Sequence, residues 1–438
     1  MHCIESQQPC RIEALIGEGG QGEVYRVRAA GELCALKWYN DLVLRVDRGL
    51  RTRLQLAIDM GPPSGHFLWP YELVTDASGQ RLGYLMRLRR DGYVKMQSLF
   101  ANELQPSFRT LAFAGWQLAD ALLSLHAKGL VYQDLNAGNI FFDPNSGRVE
   151  ICDNDNVDID GAPSVMGGVM EYQAPEVVLR QSGPSRASVL HSLAVMLFRM
   201  LHLGHPLVGA RELEFHNLTE PSVMRRLYGS EARFVFDPSD ASNRPLPERH
   251  GAVAGHWAIY PRFLRELFTR AFTAGLYDPS QGRVQETEWR RAMRQLLDSI
   301  YSCVHCRAQN FYDPSRRASG QAQFACWHCG GMLASAPLRM GLRRRAARSG
   351  EAPDQVVVIE PGARLYAYQL GLADALPEAE VAVVEMHDAL VLRNRSGLTW
   401  QAGSGDGVTP IAPGEAVPLS ADLRVNFGVV DGHLRAAT

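Results

Sequence analysis

Lys37 lies in the apolar run Leu33-Cys-Ala-Leu-Lys-Trp-Tyr39, and it is one of only three lysines in a chain with 45 basic residues. A compact ammonium on a strand can reach the α- and β-phosphates of a nucleotide. Upstream, Gly17-Glu18-Gly19-Gly20-Gln21-Gly22-Glu23-Val24 has the spacing G-x-G-x-x-G-x-V, where missing Cβ atoms let backbone N–H groups close on phosphate oxygens. Because Glu23-Val-Tyr-Arg-Val-Arg28 continues as a strand instead of opening a helix, a glycine hairpin over the nucleotide fits better than a dinucleotide-binding turn. Further on come Asp134, then Asn139 five residues later, then Asp153. They offer a carboxylate to orient and deprotonate an acceptor hydroxyl, an amide oxygen for a cation, and a carboxylate for the metal that bridges the phosphates. A separate chemistry is written in Cys303-Val-His-Cys306 and Cys326-Trp-His-Cys329, with 19 residues between the pairs. Four thiolates close a tetrahedral zinc site and leave no position for water, so this metal would be structural, with His305 and His328 outside the ligand set.

The elements that must hold these groups follow from periodicity. Residues 10 to about 100 read as short strands with one helical stretch near Val46–Met60. From Ser107 the period becomes helical, with Leu111, Trp116, Ala119, Leu122, Leu123 and Leu125 on one face. Further helices fit Val189–Leu203, Arg262–Ala274 and Glu286–Ile300, separated by Pro-, Gly- and Asp-rich loops, the longest around Phe236–Gly255. The basic stretch after Leu338, with Arg343, Arg344 and Arg345, lacks an apolar face and reads as a solvated linker. From Val356 to Thr438 apolar and polar residues alternate between Pro/Gly turns, as in an all-β domain.

The 438 residues suffice for several domains. A net charge of -2 argues against bulk attraction to nucleic acid or an anionic membrane. No run approaches 18 apolar residues, and the first residues lack a signal core, so a cytoplasmic location is expected.

One further motif joins the set: Ala174-Pro175-Glu176 closes a segment that begins at Asp153. In this order the glycine loop, Ala35-x-Lys37, Asp134-x-x-x-x-Asn139, Asp153 and Ala-Pro-Glu resemble eukaryotic-type protein kinases in their bacterial form. The resemblance implies an α+β fold: a bilobal kinase-like domain over 10–300 (N-lobe about 10–100, C-lobe about 101–300), a zinc ribbon over 301–335, a linker over 336–355 and a β-sandwich over 356–438. It implies ATP and Mg2+ as cofactors beside Zn2+. Gly17, Gly19, Gly20, Gly22, Val24 and Lys37 would hold ATP; Asn139, Asp153 and Asp155 would hold magnesium; Asp134 would act on the acceptor hydroxyl. Glu176 would pair with Arg283. The Asp134-to-Asn139 motif, the run Asp153-Asn-Asp-Asn156 and the cysteine pairs resemble more specifically the kinase of the tellurite-resistance-associated phosphorylation triad. Its implied partners are a von Willebrand A-type protein and a metal-dependent protein phosphatase. Leu392-Arg-Asn394-Arg-Ser396 with Phe427-Gly428 resembles a forkhead-associated sandwich.

The chain departs from the kinase pattern at several places. Tyr132-Gln133-Asp134 lacks the arginine that reads a phosphorylated activation segment, so control through Ser164 or Tyr172 is not expected. Asn136 replaces a lysine, Asn154 replaces the phenylalanine after the metal aspartate, and Val189 replaces a bracing aspartate. No glutamate stands ready to hold Lys37, Gln55 and Asp59 being nearest in spacing. These departures keep a rival reading open, a pseudokinase scaffold that binds nucleotide and partners without phosphoryl transfer.

Overall fold

The computed structural model describes residues 1–161, 168–318, 324–333, 337–345, 355–372, 379–404 and 407–435. Ser164 lies outside them. The chain divides into two compact units, one formed by 1–257 and 265–291, the other by 258–264 and 292–438.

The first unit begins with a six-stranded sheet. Its strands are β1 (His2–Cys3), β2 (Cys10–Gly19), β3 (Gly22–Ala29), β4 (Glu32–Tyr39), β5 (Glu72–Thr75) and β6 (Leu82–Met86), in the order β1-β5-β6-β4-β3-β2. β4 is central and buried on both faces, so its apolar run does not alternate. Cys34, Leu36 and Trp38 join Val27, Val74 and Leu85 on one side; Ala35 and Tyr39 join Leu73, Tyr84 and Met86 on the other. Helix α1 (Asp41–Val46) starts at Asn40, whose side chain accepts from Val43 N–H. Helix α2 (Leu50–Met60) drives Leu50 and Leu54, one turn apart, into the second cluster.

Ser107 caps helix Phe108–Ala127 by accepting from Thr110 N–H at 3.1 Å. The helix is buried on most of its circumference, and the strands that carry the chemistry pack around it: Leu130–Tyr132 pairs with Val157–Ile159, and Ile140–Phe142 with Val149–Ile151. Helix Arg186–His202 opens with a reciprocal cap between Ser185 and Ser188. Its Phe198 packs edge-on against Phe234, Phe268 and Phe272. The region around Phe236–Gly255, expected as a loop, contains the start of helix Pro247–Ile259. Proline at the first helical position costs no hydrogen bond, but a kink at His250 and two glycines hide the helical period.

In the second unit, strands Ile300–Ser302 and Gln309–Phe311 form one hairpin, and Phe324–Ala325 and Met332–Leu333 another. Beyond them a six-stranded and a four-stranded sheet share a core that includes Met340, Leu342, Val384, Leu392, Trp400, Val425 and Phe427. The expected linker is corrected here: Arg339–Arg344 is an interior strand between Gln355–Val358 and Val430–Arg435. Met340 and Leu342 point into the core while Arg343 and Arg344 remain partly or fully exposed, so two apolar residues suffice to seat a basic strand. Residues 346–354 of that stretch lie outside the described ones.

Candidate active site

Strand register brings the candidate nucleotide-binding groups together. Gly19 opposes Gly22 at the β2–β3 turn, Val24 opposes Lys37 across β3–β4, and Lys37 opposes Tyr84 across β4–β6. The glycines divide into two kinds. At Gly19 and Gly20 a Cβ would meet nothing within 4 Å, leaving bare backbone that a phosphate can approach. At Gly22 a Cβ would fall 2.0 Å from the Trp38 carbonyl oxygen, so this glycine serves the hairpin's packing onto β4.

Lys37 is 4 % exposed, and its ammonium is held from several directions. It donates to Gln21 Oε1 at 2.5 Å and to Asp155 Oδ1 and Oδ2 at 2.9 and 2.8 Å, with Asp153 Oδ1 at 3.5 Å. Burial alone would push its pKa down; Asp155 and then Asp153 outweigh that and leave it above the ordinary value. The side chain of Asp155, expected beside magnesium, is 1 % exposed and faces Lys37. Tyr39 OH donates to its Oδ2 at 2.7 Å and Tyr84 OH to its Oδ1 at 3.4 Å, so both oxygens are engaged. Burial raises both phenols well above their usual pKa, which keeps them neutral donors.

Asp153 is the more open acid of the pair, its side chain 37 % exposed, in a left-handed conformation with φ 53°. That backbone state is uncommon outside glycine and here turns the chain so that residues 153 and 155 approach Lys37 from one short segment. Asn154, where the kinase pattern has phenylalanine, is fully buried and donates to the carbonyls of Leu68 and Ile151 at 2.8 and 3.0 Å. An amide pins the turn where the kinase pattern has an aromatic ring.

Asp134 sits on the loop after Leu130–Tyr132. Its Oδ1 accepts from Val169 N–H at 3.1 Å and its Oδ2 from Asn139 Nδ2 at 3.2 Å. Burial raises its carboxyl above the usual range, against bonds from Asn136, Val169 and Asn139 that pull it down. A shift toward neutrality suits a proton acceptor. Asn139 spends its amide nitrogen on Asp134, which leaves its amide oxygen for a cation. Asn136 is 7 % exposed and stitches the loop, donating to the Asp134 carbonyl and accepting from Gly138 N–H. Gln133 N–H to the Asn156 carbonyl at 3.0 Å and Cys152 N–H to the Asn139 carbonyl at 2.9 Å tie this loop to the Asp153 turn. Tyr132 OH donates to the Cys152 carbonyl.

Glu176 and Arg283 meet at 2.8 Å, and Arg283 also donates to the carbonyls of Gly275 and Ala187. Val189 is buried and carries no polar group that could brace the loop. The roles of Gln21, Tyr39, Tyr84 and Val169 were missed by sequence reasoning. Tyr39 alone had a local signal, since a residue two beyond Lys37 shares its strand face.

The thiols of Cys303, Cys306, Cys326 and Cys329 lie within 4.8 Å of one another. This donor set and spacing fit a tetrahedral Zn2+. Asn394 and Ser396, part of the forkhead-associated resemblance, are buried and bonded to each other and to the Leu398 and Ile411 carbonyls, a turn brace. Among the described residues no helix is long and apolar enough to cross a membrane.

The hairpin, the buried lysine, the loop aspartate and the more open Asp153 are arranged as a protein kinase domain would arrange them, and sequence comparison finds the same likeness over part of the chain. Residues 84–244 match the family described as protein kinase domain. Ribosomal protein S6 kinase alpha-6 of Danio rerio is 30% identical over 227 residues, 49% of this chain and 30% of that protein. Ribosomal protein S6 kinase alpha-2 of Homo sapiens is 28% identical over 217 residues, 47% of this chain and 29% of that protein. A putative ribosomal protein S6 kinase alpha-1 of Caenorhabditis elegans is 30% identical over 46% of this chain and 26% of that protein. The chain thus spans less than a third of the length of these relatives. A kinase domain implies ATP with Mg2+.

Proposed function

We propose that the chain is an ATP-dependent protein kinase that transfers the γ-phosphoryl group to a Ser or Thr hydroxyl of a partner protein. The observation that carries this reading is the bonded set Asp134–Asn139 beside Asp153 and Lys37. Lys37 and the bare backbone at Gly19 and Gly20 position the phosphates. Asp153 and Asn139 would hold magnesium, which supplies charge neutralisation on the phosphates when bound. Asp134 orients the acceptor hydroxyl and takes its proton.

The cysteine cluster is read as a structural zinc ribbon and the paired sheets as a forkhead-associated-like interaction sandwich. The likeness to the tellurite-associated triad supports a cytoplasmic bacterial signalling role, with a von Willebrand A-type protein as acceptor and a metal-dependent phosphatase as counterpart. One observation favours the pseudokinase scaffold: Asn136, neutral and committed to the loop, leaves the transferring group without the lysine of the pattern. Incubation with γ-labelled ATP and both candidate partners, followed by mass spectrometry, tests the proposal. Label on a partner's Ser or Thr supports the kinase; nucleotide binding without transfer to either supports the scaffold.

A further inference from the structure

In kinase sites the phosphate-binding lysine is set by an acid on a helix of the N-lobe, and movement of that helix switches the site on and off. Among the described residues no acid of α1 or α2 pairs with Lys37. The only acid within α2 is Asp59, and its Oδ1 accepts from Gln55 Nε2 at 3.0 Å, which also donates to Glu5. Asp41 of α1 is exposed and lies 3.7 Å from Arg81, while Asp47 pairs with Arg53. The ion pairs of Lys37 among the described residues run to Asp153 and Asp155, both beyond the catalytic loop in sequence.

We infer that Asp155 is the positioning residue for Lys37, taking over from the helix acid, so that one short turn sets both the phosphate-binding ammonium and the metal-facing carboxylate. The inference rests on the kinase reading above and adds to it a positioning residue. Three features carry it. Asp155 offers both oxygens to the ammonium, at 2.9 and 2.8 Å, whereas Asp153 stands farther away at 3.5 Å. Tyr39 and Tyr84 fix the Asp155 carboxylate from behind, and both phenols stand on the β-sheet that carries Lys37. Asn154, between the two acids, is anchored to the Leu68 and Ile151 carbonyls, so the turn does not depend on a helix acid for its place.

The test uses the full chain and two probes that differ only in phosphates, ADP with Mg2+ and adenosine. Wild type should bind ADP more tightly than adenosine. Asp155→Asn keeps the shape but removes the carboxylate, and should weaken ADP by about 10- to 100-fold, the range for losing a charge-assisted bond, while adenosine affinity stays within about two-fold. A purely structural role would lower both affinities together. Tyr39→Phe, which frees one Asp155 oxygen without touching Lys37's own bonds to that acid, should give a smaller loss in the same direction. Asp59→Ala should leave both affinities unchanged. In a Lys37→Met background, adding Asp155→Asn should cost no further ADP affinity, because a residue acting through Lys37 has nothing left to position. Additive losses in that double variant, or equal losses of ADP and adenosine in Asp155→Asn, would overturn the inference while leaving the kinase reading intact. Failure of wild type to bind ADP at all would overturn both.

Discussion

Removing the Glu176 carboxylate should leave one of the most buried cations of the first unit uncompensated. The Arg283 side chain is 2 % exposed and Glu176 15 %, with Nη2 and Oε2 at 2.8 Å. Burial already pulls the guanidinium's pKa down against the opposing pull of Glu176, so the charge is held there at a desolvation cost. The Gly275 and Ala187 carbonyls satisfy donors but supply no net charge. Breaking a buried pair by deleting one partner costs about 3–5 kcal/mol, against about 0–1 kcal/mol for a surface pair. A kilocalorie shifts Tm by roughly 2–4 °C in a domain of this size class, so Glu176→Ala should lower the melting temperature by on the order of 10 °C. Glu176→Leu combined with Arg283→Met should recover most of that loss, since neither charge is then stranded. Thermal unfolding of the full chain, followed by circular dichroism, reads both. A drop below about 2 °C in Glu176→Ala would show that water screens the pair, and the argument from burial would fail.

Three other outcomes follow from the geometry. Freshly purified protein should carry one zinc per chain by elemental analysis, and Cys306→Ser should be substoichiometric and lose local order around 303–333, since the donor set offers no replacement thiol among the described residues. Glu286 accepts from His126 and from Arg186 at 2.9 Å; although burial opposes it, those bonds bring its carboxyl down to about 2 from 4.5. Its contribution to stability, on the order of 3 kcal/mol, should be full above about pH 4.5 and fade as pH falls toward 2. The stability gap to Glu286→Gln in denaturant titrations should therefore be constant near neutrality and narrow in acid. A Cβ at Gly168 would come 2.9 Å from Asp134 Oδ1 and 3.1 Å from the Gln133 carbonyl, so Gly168→Ala should reduce turnover by about 10- to 100-fold while ADP binding stays within two-fold.

Local spacing made much of the first unit legible. Lys37 on an apolar strand, and Asp134 and Asn139 on one loop, are set by short stretches of chain, and the structure brings them together with Asp153. The pairing of Glu176 with Arg283 spans 107 residues and came from family order, not from periodicity. Asp155 shows the opposite case. Its partner, the Lys37 ammonium, is 118 residues away, and nothing in Asp153-Asn-Asp-Asn156 says which carboxylate turns inward; burial behind two tyrosines decides it. Likewise the arginines of Arg339–Arg344 conceal a strand, because three residues of apolar alternation weigh little against a basic run until the flanking strands are in place.

The central claim is that Asp134 and Asp153 perform separate tasks in phosphoryl transfer, and one paired measurement tests it most directly: Mg-ADP binding and γ-label transfer to the partner protein, on wild type, Asp134→Ala and Asp153→Ala. Asp134→Ala should bind Mg-ADP like wild type and lose about 10²- to 10⁴-fold in turnover, since the role proposed for its carboxylate concerns the acceptor hydroxyl and not the nucleotide. Asp153→Ala should lose both transfer and most magnesium-dependent affinity, because Asp155 is committed to Lys37 and cannot replace it. Transfer surviving in Asp134→Ala, or Mg-ADP binding by Asp153→Ala that matches wild type, would contradict the account.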